Sequence, residues 1–483
     1  MRTLQSPWVW ILLLAVLVAA VRILTRPRAP ARWGFKDVLE HPEYWVEMEH
    51  ARQATAAAAR AAQQWTDEQV AVATRRHVLE ATTDLARSEQ TTILTALGKR
   101  THPTVLGLLR DPSLYPRLVE PAGTDLAPES AFHRACELLG DAADAQAVAA
   151  LAPFLGDPAE RIRKQAALAI ASTGASTIVP LIQQALRDAD EYVRAYALIG
   201  LQRALDRSGL ASSAQVALIP DVANLLREDK NADMAAAVLY RLDSAKAREL
   251  FLSPEMFTAR SRSLHAALEV LADAGASVPR DAIHVLIQAL EAEPLAFPRT
   301  YALAGALRLL GRHRHEGDLE FLRNRTTHAQ ARVAEGAAAG LLCAYGLDGF
   351  DARIWEIEKK DGIAALTAPQ RLYRAVFFCD AEINNGGLSQ YFVNSSGDDW
   401  QEALAGFEAM GCKERSNILA EAVRMFGGDG PSPNCRIRQE QLSTLCRRNA
   451  TVFDALDSRY YKVTELVAVH AARYVLAHAD GFR

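Results

Sequence analysis

The sequence predicts an all-α protein in three parts: a membrane anchor at the N-terminus, an α-solenoid in the middle and a helical domain at the C-terminus. Three observations carry this expectation. Alanine is abundant and runs of β-branched residues are rare, so intrinsic propensity favours helix along most of the chain. Apolar residues recur at three- and four-residue spacing in successive segments, which is the pattern of a helix with one buried face. A stretch in the middle repeats at an offset of about 31 positions, within the period range of solenoids. With 483 residues, 50% of them hydrophobic, the chain can bury a sizeable core divided among two or three domains. A net charge of −4 offers no argument for direct contact with nucleic acid.

Residues 8–24 open with Trp8-Val-Trp-Ile-Leu-Leu-Leu-Ala-Val-Leu-Val-Ala-Ala-Val21 and continue through Arg22 to Ile23 and Leu24. This apolar span is a little shorter than the roughly 20 residues that cross a bilayer comfortably, and Arg22 can snorkel. Only Arg2 precedes the span, whereas Arg22, Arg26, Arg28, Arg32 and Lys36 follow it. An excess of Lys and Arg marks the cytoplasmic flank, so the expected topology is a single pass of the inner membrane with the bulk of the chain in the cytoplasm. Residues 1–33 then form the anchor and a stiff basic linker, Arg26-Pro-Arg-Ala-Pro-Ala-Arg32, suited to anionic lipid. The alternative is a signal peptide cleaved after Ala20 or Ala31, with export of the rest. Cys136, Cys343, Cys379, Cys412, Cys435 and Cys446 contain no Cys-x-x-Cys pair and read as core thiols, in keeping with the cytoplasmic reading.

Residues 34–128 read as further helices, with Val70, Val72, Val78, Leu79, Leu85, Ile93, Leu94 and Leu97 as their apolar positions and no recognisable chemistry. The repeat follows, over residues 129–346. Asp157-Pro-Ala-Glu-Arg-Ile-Arg-Lys-Gln-Ala-Ala-Leu-Ala-Ile170 aligns with Asp188-Ala-Asp-Glu-Tyr-Val-Arg-Ala-Tyr-Ala-Leu-Ile-Gly-Leu201, and weaker copies recur near 234–242, 264–271, 301–307 and 333–341. Second helices fall between them, near 178–186 and 282–290, so the unit is a helix pair. One pair cannot bury its apolar face alone, but a stack can. The region resembles the HEAT repeat, in the short variety also found in phycobilin-lyase-like proteins. That resemblance implies the fold and no activity, because no cofactor-specific motif accompanies it. Asp157 and Asp188 suit helix N-caps, and Arg163 and Arg194 predict a ladder along one edge. Bonding between repeats is the weightier reading of that ladder; contact with a phosphate or other ligand is the alternative.

After a linker over residues 347–366, the C-terminal domain occupies 367–483. Thr367-Ala-Pro-Gln370 reads as a capping box, and Leu372, Tyr373, Val376, Phe377, Cys379 and Ile383 continue a helix. In Asp380-Ala-Glu-Ile-Asn-Asn-Gly-Gly-Leu-Ser-Gln-Tyr-Phe-Val-Asn394 that helix should end at Gly386 and Gly387, with Asn384 and Asn385 free to adopt left-handed conformations and a second short helix carrying Gln390 and Asn394. Polar groups then converge at one corner, where Glu382, Asn385, Gln390 and Asn394 either knit the helices together or line a recognition pocket. The candidate partner-binding residues are Glu382, Asn384, Asn385, Gly386, Gly387, Gln390, Tyr391 and Asn394.

This segment, with Ala409-Met-Gly411, Phe453-Asp-Ala-Leu-Asp-Ser-Arg-Tyr-Tyr461 and Ala477-His-Ala-Asp-Gly-Phe482, resembles the domain family named after a bacterial DNA-mimic protein. The resemblance implies a small helical domain. It also implies, for the namesake, an acidic surface that imitates the phosphate backbone and occupies a DNA-binding protein. In this chain Arg436, Arg438, Arg447, Arg448, Arg459, Lys462 and Arg473 offset the carboxylates such mimicry requires.

Other chemistry is thin. His313 and His315 sit at i and i+2 between arginines, which suits a solvated loop better than a metal site. Gly427-Gly-Asp-Gly-Pro-Ser-Pro433 lacks the Lys-Ser or Lys-Thr of a phosphate loop and reads as a flexible connector. His470 and His478 on the terminal helix have no paired nucleophile or base in the pattern. The expectation is therefore a binding protein rather than an enzyme, with no metal and no cofactor, whose partners are proteins. The alternatives are an enzyme using Glu382 as acid or base, or a regulator of a DNA-binding protein by charge mimicry.

Overall fold

A computed structural model describes residues 43–483 apart from 81–83, 120, 123–128, 140–144, 175–177, 208–209 and 229. The predicted anchor at residues 8–24 and its basic linker lie outside the described residues, and among the described residues no helix is long and apolar enough to cross a membrane. The chain is all-α as expected, save for a minimal antiparallel ladder in which Pro121–Ala122 pairs with Glu129–Ser130. Residues 50–270 form one compact unit and residues 271–483 another.

In the first unit, a capping box opens the helix Asp67–Glu80: the Gln69 side chain accepts from the Thr66 N–H at 2.8 Å and the Thr66 hydroxyl accepts from the Gln69 N–H at 3.2 Å. Buried Arg134 closes its far end by donating to the carbonyls of His77 and Val78. Val72 of this helix, expected among the apolar positions, faces solvent instead. The aligned repeat segments are the helices Glu160–Thr173 and Glu191–Asp206, with Val179–Leu186 between them. Ala166, Ala167 and Ile170 of one helix and Val193, Ala197 and Leu201 of the other are buried, so small side chains let the two pack closely. The weaker copies are also helices, Ala232–Leu242 and Leu264–Asp273.

The arginine ladder bonds repeat to repeat. Arg163 holds Asp188 through two bonds of 2.8 and 3.0 Å and also donates to the Asp157 carbonyl at 3.0 Å. Arg194 repeats the pattern one unit on, with Glu228 at 3.0 Å and the Asp188 carbonyl at 2.6 Å. Tyr115 supplies the preceding rung by donating its hydroxyl to Asp157. Asp157 and Asp188 are not the N-caps the sequence suggested. Each closes a turn just before its helix, accepting from the N–H of Ala159 or Asp190, and Asp190 is the true cap. The reason is geometric: a carboxylate set back from the helix reaches both its own turn and a donor from the preceding segment, Tyr115 for Asp157 and Arg163 for Asp188. Burial raises the Asp188 pKa and the Arg163 guanidinium lowers it; the net result lies below the usual aspartate value.

In the second unit, the helices Arg280–Glu291, Arg299–Gly311, Glu316–Arg325 and Ala331–Ala344 continue the pattern of pairs. Arg280 grips buried Asp318 with two bonds of 2.7 Å. Gly311 faces the backbone of Gly340 so closely that a Cβ there would sit 1.9 Å from the Gly340 oxygen. Residues 347–366, expected as a linker, instead contribute the helix Phe350–Asp361, because Leu347, Phe350, Ile354 and Leu366 are buried in one core with Val376, Cys379, Tyr391 and Phe407. The helix Val467–Ala477 lies on Ala331–Ala344 through Val469, Ala472, Ala334 and Ala338, and Arg473 donates to Thr326 Oγ1 at 3.2 Å. The last repeat and the C-terminal helices therefore share packing. All six cysteines are free thiols, five of them buried, and burial pushes Cys412 up to about 12.

Candidate functional site

The expected capping box is present, with the Gln370 side chain accepting from the Thr367 N–H at 2.9 Å and the Thr367 hydroxyl accepting in return from Gln370. It opens the helix Ala368–Val393, which is broken at Gly386 (φ −163°, ψ 23°) and Gly387 (φ 79°, ψ 179°). Asn384 and Asn385 stay helical, so the glycines alone make the turn. Gly387 is required twice over. Its φ is left-handed, and a Cβ would lie 2.5 Å from Asp457 Oδ2. Asp457 occupies that space because the break frees an N–H: its Oδ1 accepts from Leu388 N at 2.8 Å and so caps the second helical segment from a distant part of the chain. Tyr461 donates to the Ile383 carbonyl at 2.9 Å on the other side of the break. Burial raises the Asp457 carboxyl; the Leu388 N–H opposes the shift and Asp454 adds to it.

Three of the candidate residues meet at the corner. Gln390 Nε2 and Asn394 Nδ2 both donate to Glu382 Oε2, at 2.6 and 2.9 Å. Glu382 is half-buried, and among the described residues no Lys, Arg or His forms an ion pair with it. Asn385, expected in the same cluster, is exposed, as is Asn384, whose amide donates back to the Asp380 carbonyl at 2.8 Å. The helix runs through both asparagines to the glycines instead of turning at them, and both asparagines face outward. Gly387 and Tyr391 are buried and shape the corner from beneath, the tyrosine hydroxyl lying against the Cys379 thiol.

Sequence reasoning did not assign a role to the residues that support this corner. Asp380 takes the Tyr460 hydroxyl at 2.7 Å and Arg415 at 2.9 Å. Arg438, with no exposed surface, donates to the carbonyls of Phe392 (2.8 Å), Ser432 (2.8 Å) and Asn394 (2.7 Å) and pairs with Asp398. The bonds to Phe392 and Asn394 satisfy carbonyls where the helix ends, and the bond to Ser432 ties down the loop before Cys435. The glycine-rich stretch 427–433 is tied down rather than flexible: Trp400 donates to the Pro431 carbonyl at 2.8 Å, and Ser432 N donates to Gln441 at 2.8 Å. His313 bonds the Val278 carbonyl at 2.9 Å and His470 the Met410 carbonyl at 2.9 Å, so both serve as ties. Among the described residues no group of three His, Cys, Asp or Glu is placed to hold a metal ion.

With this geometry in hand, comparison with protein families separates the two regions. Residues 364–478 match the family described as DMP19-like protein, and residues 126–202 match the HEAT repeats. The chain carries both domain types. Neither the curated proteins nor the solved structures contain a match to it. The DMP19-like domain here has 14 Asp and Glu against 13 Lys and Arg over residues 367–483, so its charge is nearly balanced. Many of these groups are paired, as in Arg374 with Glu358 and Arg459 with Glu421. HEAT repeats and a DMP19-like domain together fit a helical protein-interaction scaffold.

Proposed function

We propose that this protein is a scaffold tethered to the inner membrane through residues 8–24, with its bulk in the cytoplasm, that holds protein partners through its helical repeats and its DMP19-like domain. The observation that carries the partner-binding part is the Glu382 corner. Gln390 and Asn394 fix one carboxylate oxygen, so the group is oriented before any partner arrives, and a preorganised acceptor loses little entropy on binding. Asn384 and Asn385 flank it as exposed amides. The apolar span and the Lys and Arg that follow it support the tether.

The test is affinity purification of the full chain from membranes, comparing the parent with Glu382→Gln combined with Gln390→Ala. Loss of specific partners at unchanged melting temperature is the expected result. Retention of every partner would remove the corner from the reading. Fractionation, with protease added from either side of the membrane, checks the tether: protection of the body from the periplasmic side is expected, and digestion from that side would favour export.

A further inference from the structure

The long helix of the C-terminal domain carries adjacent phenylalanines, Phe377 and Phe378, between buried Val376 and buried Cys379. One helix face cannot bury four consecutive residues. Both rings are half-exposed and neither belongs to the domain core. They gather instead with Trp355 of the helix Phe350–Asp361, at centroid separations of 5.5 Å (Trp355 to Phe377), 5.3 Å (Trp355 to Phe378) and 5.6 Å (between the phenylalanines). The Arg374 guanidinium lies over Phe378 at 4.9 Å and is itself held by Glu358 in two bonds of 2.7 Å. Asp399 is a second carboxylate on Arg374. Two carboxylates thus meet one arginine, and Glu382, one helical turn beyond Phe378, has only amide partners. The patch joins clustered aromatic rings to a carboxylate, Glu382, that no cation pairs among the described residues.

We propose that Trp355, Phe377, Phe378 and Glu382 form one docking surface for a partner protein whose segment presents an apolar side chain and, about one helical turn away, a lysine or arginine. The apolar group packs on the rings, where tryptophan, phenylalanine and arginine supply large contact area at small entropic cost. The cation meets Glu382, whose free oxygen completes a charge-assisted bond. Charge complementarity selects this occupant: a neutral apolar segment would desolvate the Glu382 charge with only its two amide donors to offset the cost, and an acidic one would be repelled. This inference rests on the partner-binding reading above and gives it a chemistry.

The test uses the full chain in lipid nanodiscs, probed with phage-displayed random 12-residue peptides. Selected peptides should pair a Lys or Arg with an aliphatic or aromatic residue three or four positions away. Their affinity should fall about tenfold or more in the double variant Phe377→Ser, Phe378→Ser, and by a smaller factor in Glu382→Gln, as the loss of a central anchor and of one charged bond predict. Both serines replace half-exposed rings outside the core, so an unchanged melting temperature confirms that the loss is local. Peptides without the basic and apolar pair, or binding indifferent to the serines, would overturn the proposal. So would a dimer that dissociates on the serine change, because a second copy would then be the occupant. If membrane partners are lost with Glu382→Gln but kept with the serines, this inference fails while the corner stands; if they survive both changes, the corner leaves the partner-binding reading as well.

Discussion

The repeats and the DMP19-like domain are both all-helical, yet they are held together over different distances along the chain. Within the repeats, the arginine ties reach the next unit: Arg163 to Asp188 spans 25 residues, Arg194 to Glu228 spans 34 and Arg280 to Asp318 spans 38. In the C-terminal domain, Asp457 caps Leu388 across 69 residues, Tyr460 reaches Asp380 across 80 and Thr367 meets Gly481 across 114. The first arrangement is a sum of neighbour terms, and a local fault should stay local. The second is a closed network in which each tie holds elements that others depend on, so a fault should propagate.

The sharpest test of the contrast is Arg438→Ala. It removes the donor to the carbonyls of Phe392 and Ser432, one of two donors to the Asn394 carbonyl, and the partner of partly exposed Asp398, and losing several hydrogen bonds from one buried charged group costs about 3 kcal/mol or more. Hydrogen exchange should show protection falling across residues 367–483 together. Fraying confined to residues 392–398 would mean that the domain is no more cooperative than the repeats.

Gly200→Ala probes the other region. A Cβ there would lie 2.6 Å from both Ala171 Cβ and the Leu168 carbonyl oxygen, and overpacking of this kind costs about 1–3 kcal/mol. Exchange should quicken in the helices Glu160–Thr173 and Glu191–Asp206 and leave residues 367–483 unchanged. A matching loss in the C-terminal domain would contradict nearest-neighbour behaviour.

Asp457 separates the capping bond from its charge. Asp457→Ala should cost about 1 kcal/mol, as loss of a helix cap does. Asp457→Asn keeps an acceptor for Leu388 N, so it should be at least as stable as the parent at neutral pH. The folded-state pKa of Asp457 is raised, so the ionised form is the disfavoured one in the folded protein. The parent should therefore gain stability relative to Asp457→Asn as pH falls through that raised value. Denaturant midpoints measured from pH 7 downward check the sign, and a parent that loses ground on acidification would refute it.

The smallest effect belongs to the ladder. Asp188 has a lowered pKa in the folded state, so its bond to Arg163 contributes fully above the ordinary aspartate range and is lost as pH falls through the depressed value. For a partly exposed pair the contribution is about 0.5–1 kcal/mol. The parent should lead Asp188→Asn at pH 7, and the gap should close below the usual aspartate pKa of 3.8. A gap independent of pH would assign the ladder to shape rather than charge.

Local chemistry was legible from the residues alone. The capping box at Thr367 and Gln370, the break at Gly386 and Gly387, the paired helices of the repeats and the ladder of Arg163 and Arg194 all depend on neighbours within a few residues or one repeat. Spacing reports such features directly. Tertiary structure alone decided which polar groups converge. Gln390 and Asn394 turn inward to Glu382 while Asn385 faces solvent, because the helix continues to the glycines. Asp457 caps a helix 69 residues away, Arg438 seals another end across 44, and the stretch at 427–433 is pinned by Trp400 and Gln441. The helix at Phe350–Asp361 exists where a linker was expected, because its apolar face found a core supplied by later residues. Hydrophobic periodicity specifies that a face must be buried. Which distant groups bury it, and which donors meet the groups left open at helix ends, is settled only when the chain has closed on itself.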